Sequence, residues 1–156
     1  VAGTSRRSVR EERDGGSAAP GQGNRTTVSA CLDSWAVLAW LDGESPACER
    51  VEALLADRPV LSWVNAVEVY YRLERDHGRR AADDVLSELR LALDLDLPGT
   101  ARMVETARLK ARLPIALGDC FAIATATAHS LPLLTGDPEI LGRKDLPCEV
   151  EDLRGI

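Results

Sequence analysis

Several scarcities and absences narrow this chain before any motif is considered. It carries two histidines, and its four cysteines (Cys31, Cys48, Cys120 and Cys148) form no CxxC pair, so neither a zinc ligand set nor a disulfide framework is supported. The cysteines stand mostly in apolar company and read as reduced thiols of a cytosolic protein. No apolar run approaches the roughly 18 residues that suggest a membrane span, so no membrane association is expected. The amino-terminal residues also lack the apolar core of a signal peptide. There is no GxGxxG and no P-loop, which leaves a nucleotide cofactor without support, and no internal repeat is visible.

What is present is one domain's worth of chain, 156 residues, enough to bury its own core. The net charge of −6 is uneven: residues 1–27 hold five Arg against three Asp/Glu (+2), and residues 28–156 hold 14 Lys/Arg against 22 Asp/Glu (−8). Residues 1–27 are polar, rich in Gly, Ser and Arg, and show no apolar period, so they read as a disordered tail, with the folded domain expected over 28–156. Within that domain, strand-like segments at 28–32, 59–63, 93–97 and 131–135 and an edge segment at 148–153 alternate with helical patterns. The helices are expected at 34–41, 47–56, 65–77, 81–91, 100–113, 118–129 and 138–141. This alternation predicts an α/β fold whose four- or five-stranded parallel sheet is covered on both faces.

The stretch from Leu113 to Asp137, LPIALGDCFAIATATAHSLPLLTGD, organises the rest. Phe121, Ile123, Ala124, Ala126, Thr127 and Ala128 give its helix a small-residue surface that can lie close to a sheet. One carboxylate, Asp119, stands at the start of that helix, and another, Asp137, stands after the following strand. Two more occupy equivalent places: Asp33 follows the first strand, and Glu68 lies in the first turn of the helix after the second. Each has a structural reading. Asp33, Asp119 and Asp137 suit helix N-caps, Pro138 suits the first helical position, and Asn65 to Glu68 reads as a capping box.

Taken together the acids point further. Strand carboxyl ends in a parallel sheet lie along one edge, with a crevice where strand order reverses. Four acids drawn there repel one another and raise one another's pKa values. A divalent cation cancels that crowding, and oxygen ligands without His or Cys suit Mg²⁺, with Mn²⁺ as a substitute. Such a cation activates water and stabilises charge on a phosphodiester in transit.

The segments CLDSWAVLAWL around Asp33, WVNAVEVYYRL around Glu68, the stretch through Asp119, and Asp137 itself resemble the PIN-domain ribonucleases, most closely the VapC toxins of toxin–antitoxin pairs. The spacing of the acids fits too: 35 residues from 33 to 68, 51 to 119 and 18 to 137. The resemblance implies a three-layer α/β/α sandwich, Mg²⁺-dependent endoribonuclease activity on an RNA substrate, a homodimer, and neutralisation by a cognate VapB-like antitoxin. It also implies that Asp33 and Asp119 are the principal metal ligands, with Glu68 and Asp137 completing the acidic catalytic site. Ser34, Asn65 and Thr135 stand beside these acids and are candidates to orient water or phosphate. Gly118 and Cys120 depart from the pattern, since an arginine before Asp119 and an alanine after it are more usual.

Basic residues are the other requirement for RNA. Arg102, Arg108, Lys110 and Arg112 form a basic cluster on the helix leading to Asp119. Arg102, Arg108 and Lys110 are candidates to hold phosphates flanking the cut, with pairing to Glu105 or other acids on a solvated face, or helix-end electrostatics for Lys110 and Arg112, as the alternatives. Arg72, Arg75 and Arg79 share a helical stripe but are interrupted by Glu74 and Asp76, so they read either as an RNA-facing stripe or as a solvated mixed-charge face. His77 and His129 read as helix-end residues, and Trp35, Trp40, Trp63, Tyr70 and Tyr71 as core or dimer contacts. The competing function is a catalytically silent PIN-like interaction module whose acids serve only as caps. A receiver-type phosphoacceptor needs an adjacent acidic pair after the first strand, where this chain has Leu32-Asp33-Ser34. A DxDxT phosphatase fails at the same place.

Overall fold

The structure is a computed structural model that describes residues 29–155; the expected tail over 1–27 and Val28 lie outside the described residues. Five short strands form one sheet: β1 (Cys31–Leu32), β2 (Val60–Ser62), β3 (Asp94–Asp96), β4 (Leu133–Thr135) and β5 (Val150–Asp152). All neighbours pair in parallel, in the order β3-β2-β1-β4-β5. The expected α/β fold with a parallel sheet is therefore present, with five strands.

Alternation along the strands explains why the sheet is covered on both faces, since successive side chains point to opposite sides. Leu32, Leu61 and Leu134 pack into one core with the helices α1 (Ser34–Leu41), α2 (Ala47–Glu52), α3 (Trp63–His77) and α4 (Arg79–Ala92). Cys31 and Leu133, one residue earlier in their strands, pack into a second core with α5 (Thr100–Arg112) and α6 (Leu117–His129). Of the small-residue surface expected on α6, Ile123, Ala124 and Ala126 are buried, whereas Phe121 and Thr127 are half-buried and Ala128 is exposed. Ala122 is buried with them, and the Cys31 thiol lies 3.8 Å from its carbonyl oxygen. All four cysteines are free. No helix among the described residues is long and apolar enough to cross a membrane.

Boundaries shift where capping chemistry overrides periodicity. The helix expected over 47–56 ends at Glu52 and continues as a 3₁₀ turn at Leu55–Asp57. α3 starts at Trp63 because Ser62, in extended backbone, caps it by accepting from the Val64 N–H at 3.2 Å. The capping box expected at Asn65 and Glu68 is therefore displaced, and both side chains are free for other contacts. Gly78 joins α3 directly to α4 at φ 86, ψ 163, a conformation open essentially to glycine alone. α7 (Pro138–Leu141) follows β4, with Asp137 as its cap.

The order of the strands decides where a ligand meets the sheet. From β1 the chain reaches β2 on one side, while β4 lies on the other, so order reverses between β1 and β4. A crevice is expected outside the carboxyl ends at such a point. Gly136 belongs to that edge for a steric reason: a Cβ there would fall 2.3–2.4 Å from three atoms of the Trp35 indole. Gly136→Ala should cost about 1–3 kcal/mol by overpacking. In urea unfolding, Trp35→Leu should relieve most of that cost, giving a strongly non-additive double mutant; additive effects would show that the ring does not fill the space of the missing Cβ.

Candidate active site

Two of the four acids follow strand carboxyl ends at the edge where the sheet order reverses. Asp33 follows β1 with a side chain that is almost wholly buried (the residue is 2 % exposed). One carboxylate oxygen accepts from the Ala36 N–H at 2.8 Å, capping α1. The other accepts from the Thr135 hydroxyl at the end of β4, and the Thr135 Oγ1 in turn accepts from the Asp137 N–H at 2.9 Å. A relay thus joins the ends of β1 and β4 and aligns Asp33 with the turn carrying Asp137. Asp137 itself caps α7, accepting from the Glu139 N–H at 2.8 Å.

Asp119 lies in the first turn of α6, two residues after its start at Leu117, and Ala116 occupies the cap position. It is therefore not the N-cap; it reaches back to the Ala116 N–H, as an acid at the third helical position does in a capping box. Glu68 is placed by a separate network. The Ser34 hydroxyl donates to Glu68 Oε2 at 2.8 Å, and the Asn65 Nδ2 donates to Ser34 Oγ at 3.1 Å and to the Gly118 carbonyl at 3.2 Å. Arg72, one turn along α3, brings Nη2 to 3.3 Å from Glu68 Oε1. Gly118 is the counterpart of this arrangement, since a Cβ there would meet Glu68 Oε2 at 2.9 Å. The departure from the more usual arginine thus coincides with a close approach of Glu68 to the start of α6.

The electrostatics follow from this crowding. Burial pushes the Asp33 carboxyl up to about 7; the hydrogen bonds from Thr135 and Ala36 oppose the shift, and the charges of Asp119 and Asp137 add to it. Asp119 is pushed up to about 6, first by burial and then by the charges of Asp137 and Glu68, with the Ala116 N–H opposing. Each of the two is raised in part by the other acids of the set. Among the described residues, no group of three or more His, Cys, Asp or Glu side chains is arranged to hold a metal ion. A buried acceptor is left over: Asn65 Oδ1 finds no donor among the described residues, although Asn65 is fully buried.

The remaining candidates are distributed as follows. Ser34, Asn65 and Thr135 are all buried within these networks. Lys110 donates to the Ile115 carbonyl at 2.5 Å, in the loop before α6. Arg108 is exposed and lines a cavity of about 210 Å³ with Glu105, Leu109, Arg112, Ala124, Thr127 and Pro147; among the described residues neither base pairs with Glu105. Arg102 is held by Asp96 at 2.8 Å and Thr125 at 2.9 Å, and His129 reaches the same Asp96 at 2.8 Å. His129 is the last residue of α6, the helix-end place expected of it, and it also ties that end to β3 through Asp96. Sequence reasoning missed the pairing of Arg72 with Glu68 and the seating of Trp35 on Gly136. The i,i+4 spacing was the available signal for the first.

A raised carboxyl links stability to pH. Between the ordinary aspartate value of about 4 and the folded value of about 7, the native state binds a proton that the unfolded chain has lost. This group's contribution to stability therefore falls as pH rises through that window. Asp33→Asn keeps a competent cap and removes the titration. Thermal melts in chelator should show its advantage over the wild type growing from pH 4.5 to 7.5 and levelling off above; a constant difference would mean that Asp33 is not held as a raised acid.

The sequence pattern of the PIN domain family matches residues 30–145. Solved structures similar to the chain include VapBC of Salmonella typhimurium, crystallised bound to DNA, with a TM-score of 0.67 at 17 % identity over 81 % of this chain and 98 % of that one. VapC20 of Mycobacterium tuberculosis, described as a sarcin–ricin loop cleaving toxin, has a TM-score of 0.59 at 15 % identity over 73 % and 95 %. FitAcB of Neisseria gonorrhoeae has a TM-score of 0.56 at 18 % identity over 80 % and 98 %. No curated protein sequence matches significantly. With the family pattern spanning most of the folded domain, and with the acids on the strand and helix ends where the sheet reverses, the chain belongs to the PIN domain family.

Proposed function

We propose that this chain is a divalent-cation-dependent endoribonuclease of the VapC toxin kind, acting in the cytoplasm as a homodimer and neutralised by a cognate VapB-like antitoxin. The observation that carries the reading is the pair Asp33 and Asp119, two carboxyls held well above the ordinary range in a shared field at the reversal of the sheet. Proteins tolerate such unfavourable carboxylates where function uses them. Two structural neighbours, the sarcin–ricin loop cleaving toxin VapC20 and a toxin–antitoxin complex from Klebsiella pneumoniae, support the same direction.

The donor chemistry fits Mg²⁺ or Mn²⁺, because the set offers oxygen atoms only, and Mg²⁺ typically takes one or two carboxylates and keeps its waters. The buried, unpartnered Asn65 Oδ1 is a further oxygen without a protein donor. Asp33 and Asp119 are assigned as the principal ligands, with Glu68 and Asp137 completing the acidic site. When bound, the cation supplies an acidified water and neutralises charge on the phosphodiester. The chain's own residues do the positioning. Thr135 and the Ala36 N–H fix both oxygens of Asp33, and Ser34 orients Glu68. Asn65 ties Ser34 to the start of α6, which carries Asp119. Phosphates flanking the cut are assigned to Arg108 and Lys110.

The capping bonds of Asp33 and Asp137 favour a second reading, a catalytically silent interaction module. Incubating the full chain with a mixed pool of tRNA, rRNA and mRNA in Mg²⁺ or Mn²⁺ separates the two. Discrete cuts are expected, abolished by chelator and by Asp119→Asn, which should remain folded. Thr135→Val, which removes the hydroxyl from Asp33, should weaken metal affinity or cleavage by about 10–100-fold. Intact RNA with the wild type under both metals would decide for the silent module.

A further inference from the structure

A cavity of about 250 Å³ lies between α1 and α3, lined by Trp35, Leu38 and Ala39 together with Asp42, Glu44, Arg72, Leu73, Arg75, Asp76 and His77. The acidic networks do not account for it. Two of its walls nevertheless belong to the edge of the acidic site. The six-membered ring of Trp35 is seated against Gly136, between Thr135 and Asp137, in the space a Cβ would take. Arg72 lines the cavity and also holds Glu68 at 3.3 Å. A group that stacks on Trp35 or meets Arg72 therefore sits at the end of the cavity nearer the acidic site, while Asp42, Glu44, Asp76 and His77 line the far end, at the carboxyl ends of α1 and α3.

The lining tells what kind of group that is. Two guanidiniums, Arg72 and Arg75, stand against three carboxylates, Asp42, Glu44 and Asp76, and Arg75 is already engaged by Asp76 at 2.7 and 3.0 Å. These charges nearly cancel, so a phosphate gains little there. A neutral, flat, polar ring gains from every wall. The half-buried indole offers a stacking face whose position is fixed by its seat on Gly136, while the carboxylates accept from exocyclic amino groups and the guanidinium of Arg72 donates to ring oxygen or nitrogen. We propose that this cavity is a nucleobase subsite, in which Trp35 stacks on an amino-bearing base of single-stranded RNA next to the bond held at the acidic site.

The proposal rests on the ribonuclease reading, and the test keeps the two apart. Guanosine 5′-monophosphate and ribose 5-phosphate are titrated separately into the full chain in chelator, following the indole N–H resonances by NMR; the Trp35 signal is the one lost in Trp35→Phe. The nucleotide should shift that resonance, leave those of Trp40 and Trp63 in place, and bind about tenfold more tightly than ribose 5-phosphate, as stacking of one base implies. Trp35→Leu should bring the two ligands to within about twofold, whereas Trp35→Phe should keep most of the preference. Equal binding of the two ligands to the wild type, or an unmoved Trp35 signal, overturns the subsite whatever the variants do. RNA cleavage without base preference overturns the subsite alone. Base preference in a chain that cleaves no RNA supports the pocket and overturns the ribonuclease reading.

Discussion

A carboxylate enclosed between two strand ends must be neutralised by a proton, a cation or donated hydrogen bonds, and Asp33 is enclosed in this way. Its oxygens take one N–H from α1 and one hydroxyl from β4, yet burial still holds the carboxyl at about 7. Those two hydrogen bonds also do structural work. One starts the helix that follows β1. The other, continued through Thr135 to the Asp137 N–H, fixes the turn after β4. The element that makes the site unfavourable for charge is the same one that joins the two strands at the reversal of the sheet. A purely structural residue could have capped α1 from the surface at lower cost, and this is the physical reason for reading the burial as functional.

The second acid reaches the site by close packing. α6 lies near the sheet because its inner face is Ala122, Ala124 and Ala126, and its first turn approaches Glu68 because residue 118 has no side chain. Gly136 allows the same kind of approach from the opposite side, where the Trp35 indole fills the vacant volume. Two glycines thus set the spacing of the site: one admits Glu68 to the start of α6, and the other admits an aromatic ring to the turn carrying Asp137. Arg72 links the two sides by holding Glu68 while lining the cavity under Trp35.

Much of this was legible in the sequence because two periodicities are clean. Apolar runs of strand length alternate with helical patterns, which yields a parallel sheet, and the placement of Asp33 and Asp137 after strands follows directly. Boundaries were less legible. Ser62, at the end of β2, outcompeted Asn65 as the cap of α3, and nothing in local spacing ranks two adequate caps three residues apart. That displacement also redirected Glu68 from its expected capping box to Ser34, a partner 34 residues away that only the sheet brings close. The role of Arg102 was similarly hidden, since its partners Asp96 and Thr125 lie on β3 and α6. Trp35 reads as a core residue from composition; its seat on Gly136 depends on contact between β1's helix and β4's turn, which periodicity does not encode.

The central claim is that the buried acids form a cation site, and proton release on metal binding tests it most directly. A cation that takes Asp33 and Asp119 must displace the protons that burial holds on them. Calorimetric titration of Mn²⁺ into the full chain, repeated in buffers of different ionisation enthalpy, should show release of about 1.4 protons near pH 6, falling toward zero by pH 8, as expected for carboxyls held at about 7 and about 6. Binding without proton release at pH 6, or no binding at either pH, would contradict the claim and leave Asp33 and Asp137 as helix caps alone.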